Sequence, residues 1–333
     1  MSYVEFGTQG SDAHGLNVSK QIQPAVQASA AGKAIIVGEH AVVYGARAVA
    51  MPVSNLRMAI SLTRTDKKDR SGRPQVRMLI GGRPANAHLQ GVVEDAFDVL
   101  GISPFAIDIE GHSTVMVGAG LGSSASLCVV VLKAIAAAAG KTLATSELAN
   151  FGNQLERRFH GNPSGLDTAA VATEQVIAFR KGERPEILRV KSPTGVNQWR
   201  FALIDSGIRS STLSMIQVAA PYFQNSQHGE AHVAAFDRLA QQVIAGLGTG
   251  DQNQVADGMK EAGHRLDEAG VVSEPLRHLI KQSLAVGCVA AKPTGAGGGG
   301  CILALLDQSD ADLQLTKLKE RLSGTYVCAV ELS

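Results

Sequence analysis

GAGLGSSASLCVVVLKAIAAAAG, residues 118–140, is a glycine turn that passes through a serine pair into a long Ala/Leu/Val run closed by Gly140. Serine favours the start of a helix and glycine its end, so the stretch reads as a loop feeding a helix N-terminus. Glycines let backbone N–H groups converge, and the first helical turn adds unpaired donors and the positive end of the helix dipole. That is the physics of an anion site. A serine-capped helix after a glycine turn is also a common structural feature, so the flanking sequence has to decide.

Downstream, Leu148, Phe151, Leu155 and Phe159 form the buried stripe of a helix from about Ser146 to Phe159 that stops at Gly161. NPSGLDTAAVA then places Asp167 near the start of a third helix. QVIAF and FALID read as strands, followed by helical stretches near 211–222, 229–246, 251–268 and 273–286. A glycine loop, a strand at Cys301–Leu305, a helix near 309–322 and a final alternating strand, TYVCAVEL, close the chain. Upstream, residues 1–28 are polar and aperiodic, an extension without visible chemistry. AIIV, AVVY, AVAMPV and MAISL, between Ala34 and Leu62, read as strands separated by short turns. The basic segment Thr63–Arg83 reads as a solvated hairpin, and Phe105–Ile109 as another strand. Strands and helices mixed without strict alternation predict α+β lobes.

A chain of 333 residues is long enough for two cores. Its 31 basic residues against 30 acidic ones give no general nucleic-acid or membrane footprint, so any anion site is local. Cys128, Cys288, Cys301 and Cys328 include no C-x-x-C pair and three lie in apolar runs, which predicts reduced structural thiols in a cytoplasmic protein. The N-terminus lacks a secretory pattern, and the most apolar helix candidate is interrupted by Lys133, so neither export nor membrane spanning is expected.

PTGAGGGGCILAL, residues 293–305, packs five glycines into six positions just ahead of a buried strand. Such a loop brings backbone close to something or adopts φ values that only glycine tolerates, and a phosphate is the leading candidate. Two familiar nucleotide motifs are excluded. Gly140-Lys141-Thr142 has Ile135 where a P-loop needs its first glycine, and Ser123 stands where the third glycine of a dinucleotide fingerprint would be.

Three blocks in order, AGKAIIVGEHAVVYG (31–45), GAGLGSSAS (118–126) and KPTGAGGGGC (292–301), resemble the GHMP family of small-molecule kinases. GEHAVVYG, HGNPSGLD (160–167) and TGAGGGGC resemble its mevalonate-phosphorylating members. Ala31 and Met116 depart from the pattern, standing where the family commonly has proline. The resemblance implies the two-lobe α+β GHMP kinase fold. Its N-terminal lobe, 29–195, would be like domain 2 of ribosomal protein S5, and its C-terminal lobe, 196–333, ferredoxin-like. The implied activity is ATP-dependent phosphorylation of the C5 hydroxyl of mevalonate, with Mg²⁺, by a homodimer.

By the same resemblance Asp167 is the catalytic carboxylate and Lys33 its partner. Gly118, Gly120, Leu121, Gly122, Ser123, Ser124 and Ala125 hold the ATP phosphates, and Ser124 and Glu156 hold Mg²⁺. Glu39, His40, Arg209, Thr212, Gly297 and Gly298 lie near the substrate. The residue types suit phosphoryl transfer, which needs an oriented hydroxyl, a divalent cation and donors where charge builds up. A lysine beside a carboxylate makes it a weaker proton acceptor, but a loose transition state moves the proton late. Asp167 is therefore expected to orient the hydroxyl and accept its proton late while Lys33 neutralises charge. A side chain at Gly298 is expected to occupy substrate space, so that Gly298→Val abolishes activity without unfolding. Two enzymatic alternatives stay open: a GHMP kinase for phosphomevalonate, a sugar or an amino-alcohol, and a related decarboxylase. A third alternative is a catalytically inert binding protein on the same scaffold.

Overall fold

The computed structural model describes residues 25–332. In the first half, β1 (Val26–Val37), β2 (Ala48–Arg64), β3 (Val76–Ile80), β4 (Arg83–Pro84), β5 (Ile107–Ser113), β6 (Ile177–Phe179) and β7 (Glu186–Ile187) make a seven-stranded sheet. Only the β3–β5 pair in it is parallel. Helices α1 (Ala87–Leu100), α2 (Ser123–Ala138), α3 (Thr145–His160) and α4 (Leu166–Thr173) pack with it. In the second half, β8 (Trp199–Asp205), β9 (Ala290–Pro293), β10 (Cys301–Leu305) and β11 (Val327–Leu332) form an antiparallel sheet ordered β11-β8-β10-β9. Helices α5 (Thr212–Phe223), α6 (Gly229–Thr249), α7 (Gln252–Glu268), α8 (Glu274–Ala285) and α9 (Ala311–Arg321) belong to this lobe. This is the two-lobe α+β architecture expected of the family. None of the described helices is long and apolar enough to cross a membrane.

Local sequence accounts for the elements that position the site. α2 is apolar nearly all round and is correspondingly buried between the sheet and α1, α3 and α4. α3 buries Leu148, Leu155 and, on the same side, Glu156, with Phe151 and Phe159 half-buried at the edge. β10 is a continuous apolar run because it lies between β8 and β9 and under α8.

Several elements differ from the sequence reading. AVVY is a 3-10 helix, Ala41–Tyr44, because His40 (φ 56°) and Gly45 (φ 96°) turn the chain at either end. AVAMPV and MAISL belong to one long strand, β2, whose pairing with β1 jumps from Ala31↔Arg57 to Gly32↔Val53. The extra residues 54–56 form an irregularity, and Pro52, in register opposite Lys33, falls where the other edge of β2 is unpaired, between its pairing with β6 at 48–50 and with β5 at 58–64. The basic segment does turn back on itself, through an antiparallel Lys68–Pro74 bridge across an exposed loop in which Asp69 accepts from the backbone of Ser71 and Arg73 and through the β3–β4 pair, but β3 also pairs parallel to β5, which the reading did not anticipate. α1 and β9 are additional to the reading, and β1 begins at Val26, inside the expected extension; residues 1–24 of that extension lie outside the described residues.

The larger core does not stop at the lobe boundary. Trp199, Phe201 and Leu303 of the second sheet belong to one apolar cluster with Ile36, Val49, Met51 and Val53 of β1 and β2. At roughly 1.5–3 kcal/mol per fully buried large apolar side chain, this shared core outweighs polar contacts across the boundary such as Arg180–Asp237, a partly exposed kind of pair worth about 0–1 kcal/mol.

Candidate functional site

β1 is the spine of the cleft. The Lys33 backbone N–H donates to the Leu121 carbonyl at 3.0 Å, and that of Ile35 donates to the Thr294 hydroxyl at 2.7 Å. Residues two apart on a strand face the same way, so one edge of β1 anchors both glycine-rich loops. The two loops also touch each other: a Cβ on Gly120 would lie 2.3 Å from the Thr294 carbonyl oxygen, and one on Gly295 would lie 2.6 Å from the Gly120 Cα.

Lys33 is 1% exposed, and a buried ammonium is stable only when paired. Its Nζ donates to the Gly120 carbonyl at 3.0 Å and lies 3.0 Å from Asp167 Oδ1. Asp167 sits in the first turn of α4 behind Gly165 (φ 92°), with its side chain 36% exposed and free to meet a ligand. Neither α4 nor α2 has a side chain at its N-cap position that caps it, although the Leu166 N–H at the start of α4 donates to the Ser164 hydroxyl at 3.3 Å, so both N-termini present backbone donors and positive dipole ends. In α2 those donors begin at Ser123 and Ser124. The Ala125 side chain is in the core and away from the cleft.

Glu156 is 2% exposed, and its Oε1 has no hydrogen-bond partner. Burial, reinforced by the charge of Asp167, pushes its pKa up to about 7. His160 stands between it and α2, with Nε2 3.6 Å from Glu156 Oε2 and 3.3 Å from the Ser124 hydroxyl. Ser124 and Glu156 thus face one point from two helices, and the unpaired carboxylate oxygen together with the hydroxyl makes an all-oxygen donor set of the kind a hard divalent cation accepts.

On the opposite wall Glu39 and Lys292 form an ion pair that is almost completely buried. Burial pushes the Glu39 pKa up, against the pull of Lys292. His40 holds a left-handed backbone (φ 56°) and hydrogen-bonds through Nε2 to the Ala296 carbonyl at 2.9 Å. Burial lowers its pKa, which favours neutral imidazole.

All but four of the expected site residues line a single cleft of about 400 Å³. The exceptions are Ala125, Arg209, Gly297 and Gly298. Arg209 is held bidentately by Asp205, at 2.7 Å for each contact, with its stem against Gly118. A Cβ on Gly297 would meet the Val271 carbonyl oxygen at 2.3 Å, and one on Gly298 the Met215 sulfur at 2.4 Å. At those two positions bare backbone makes room for the protein itself, and the expectation that a Gly298 side chain would fill substrate space gives way to a packing conflict with α5. Thr212, at the start of α5, does line the cleft.

Lys292, Thr294, Asp205, Ser210 and His160 also shape the site; the sequence reading gave none of them a role, although Lys292, Thr294 and His160 lie within its motif blocks. Ser210 donates to the Gly297 carbonyl at 2.5 Å. Besides the motif blocks, a lysine inside the apolar strand Ala290–Pro293 was a signal, since a buried charge needs a partner.

The chain matches the model of the GHMP kinases N terminal domain over residues 87–175 and that of the GHMP kinases C terminal over 243–324. It is 28% identical to a mevalonate kinase of Aeropyrum pernix over 92% of this chain and 96% of that one. It is 30% identical to a mevalonate kinase of Archaeoglobus fulgidus over 84% and 91%. Its fold superposes on the crystal structure of the Methanococcus jannaschii mevalonate kinase with a TM-score of 0.78, at 19% identity, covering 93% of this chain and 99% of that one.

Proposed function

We propose that this chain, which belongs to the GHMP kinase family, transfers the γ-phosphoryl group of ATP to the C5 hydroxyl of mevalonate, giving 5-phosphomevalonate and ADP. The observation that carries the reading is the 3.0 Å contact of Lys33 with Asp167 at the point where two helix N-termini open into one cleft. Near-full-length similarity to relatives named mevalonate kinase supports the choice of alcohol over a phosphorylated or sugar substrate.

In the proposed reaction the C5 oxygen forms a bond to Pγ while the bond from Pγ to the β,γ-bridging oxygen breaks, and the electron pair leaves with ADP. Asp167 orients the hydroxyl and receives its proton late, and Lys33 offsets the negative charge that gathers between them. The free N–H groups of Ser123 and Ser124, with the glycine backbone ahead of them, cradle the phosphates. Ser124 and Glu156 are the residues suited to hold Mg²⁺, which when bound would offset phosphate charge. The free cysteines of the described chain fit a reducing, cytoplasmic setting.

The test is a panel of alcohols incubated with Mg-ATP: mevalonate, phosphomevalonate, galactose and an amino-alcohol, with ADP release followed and products identified by mass. Mevalonate is expected to gain one phosphoryl group at C5 without loss of CO₂. Preference for another alcohol, or release of CO₂, would replace this reading with one of its rivals.

A further inference from the structure

Away from the cleft, two helices of the second lobe enclose a cavity of similar size, about 410 Å³. α7 turns Lys260, Gly263, His264 and Asp267 towards it, and α8 turns Arg277, Ile280, Lys281 and Leu284. Each set follows the i, i+3, i+4, i+7 spacing of one helical face, so two stripes look at each other across a groove. The floor is apolar: Ala291 of β9 and Val272, from the turn between the helices, are both buried. Gly263 lets α7 settle on β9, since a Cβ there would lie 3.1 Å from the Lys292 Cβ. The groove therefore backs onto the strand whose other side sends Lys292 to Glu39.

The charges on its walls do not cancel. Among the described residues Asp267 is the only acid in the lining, and Arg277 already holds its Oδ1 at 2.6 and 3.0 Å. Lys260 has a loose partner, Asp257 at 3.7 Å with both side chains more than half exposed, and such a pair is worth little. Lys281 makes no ion pair among the described residues. Two ammonium groups, one on each wall, thus stand over an aliphatic floor that Ile280 and Leu284 widen. A metal cation would be repelled by them. A bare inorganic anion would leave the floor wet, and an uncharged hydrocarbon would leave the lysines unanswered. We propose that the groove between α7 and α8 is a second ligand site, for the phosphate monoester of a short hydrocarbon alcohol. Its head lies between Lys260 and Lys281 and its carbon chain lies on Val272, Ile280, Leu284 and Ala291. A phosphate monoester carries about −1.5 to −2 charge at neutral pH, which answers both lysines, whereas a carboxylate answers one.

The test is calorimetric titration of the full chain with hexyl phosphate, hexanoate, inorganic phosphate and hexanol. Mg²⁺ and a non-hydrolysable ATP analogue are present at saturation, so that the anion site of the cleft is filled. Hexyl phosphate is expected to bind at least about tenfold more tightly than each of the other three. Lys260→Gln combined with Lys281→Gln is expected to weaken hexyl phosphate about tenfold. Leu284→Ser is expected to bring hexyl phosphate and inorganic phosphate to within about threefold of each other. These residues lie outside the cleft, so parental turnover in all the variants will show that the fold is intact. Displacement of hexyl phosphate by the ATP analogue would give its binding to the cleft and overturn the inference. So would an affinity untouched by the paired lysine substitutions, or hexanoate or hexanol binding as tightly as the phosphate. Absence of saturable binding also overturns it, and a dimer that Leu284→Ser dissociates would then assign the groove to a second copy of the chain.

Discussion

Two glycine-rich loops of similar composition, 118–122 and 295–300, meet in the cleft and use their bare backbone for different ends. Gly118, Gly120 and Gly122 all line the cleft, and the loop leads directly into an uncapped helix. Past Ala296 the second loop turns its back on the ligand space. Cβ atoms on Gly297, Gly299 and Gly300 would lie 2.3, 2.7 and 2.7 Å from the carbonyl oxygens of Val271, Ile208 and Ala119. The same stretch is stitched in by hydrogen bonds from Gly298 N–H to Val271 O and from Gly300 N–H to Ile208 O, both 2.7 Å. The first loop lines the ligand space and also lets the Thr294 carbonyl approach Gly120, whereas the glycines at 297, 299 and 300 are bare so that three other stretches of chain can approach. Composition cannot distinguish these cases, because glycine removes a clash without saying with what.

The harshest attack on this comparison is Gly297→Val. The position combines φ +78° with a carbonyl oxygen in the way, so the substitution is expected to cost more than about 4 kcal/mol and to deprive the protein of a cooperative thermal transition. A variant that melts normally and has lost only turnover would make the second loop a ligand wall after all. On the other side of the comparison, Asp167→Asn is expected to lower kcat by about 10²- to 10⁴-fold, far more than any loss of folded protein explains, and to lower the melting temperature somewhat because the buried Lys33 ammonium loses its charged partner. Near-normal turnover of mevalonate would remove Asp167 from the reaction.

A milder change tests the joint between the two roles. His40 faces the cleft, and its ring holds the Ala296 carbonyl of the second loop. His40→Ala is expected to raise the KM for mevalonate by about tenfold and the KM for ATP much less, a loss of binding worth about 1.4 kcal/mol. Equal effects on both constants would make His40 a prop for the loop and nothing more.

What could be read from the sequence followed from local rules. Serine and glycine punctuation and a 3.6-residue apolar stripe located α2 and α3, and the NPSG turn put Asp167 at the head of α4. The misreadings came where tertiary context set the backbone. AVVY has strand-forming residues but is wound by a left-handed His40, and β2 continues through Pro52 because its other edge is unpaired there. The N-cap of α1, Asn86, accepting from Leu89 N–H, was legible and passed over. In the site, residue type plus resemblance pointed to Lys33, Ser124, Glu156 and Asp167, whereas Lys292 and Asp205 act by holding other residues, Glu39 and Arg209, and such partnerships are fixed only when strands distant in sequence come together.

A last test sharpens the contrast in stability instead of rate, at Glu156 on the ligand-facing side. Its pKa is raised to about 7 in the folded protein from 4.5 as an ordinary side chain, because the folded state buries it beside Asp167. Between those values the folded state holds a proton that the unfolded chain has released, so folding stability falls as pH rises through this window. The contribution is fully present below pH 4.5 and gone above about pH 7. Glu156→Gln abolishes the titration. The variant is expected to match the parent near pH 5 and, without metal, to exceed it by about 1–3 kcal/mol at pH 8, while turning over more slowly. Added Mg²⁺ should narrow the gap by stabilising the parent selectively, since only the parent has the carboxylate to receive it. Parallel stability curves from pH 5 to pH 8 would show that Glu156 carries no such cost, and the ligand-facing side of the cleft would then be as relaxed as the packed loop opposite it.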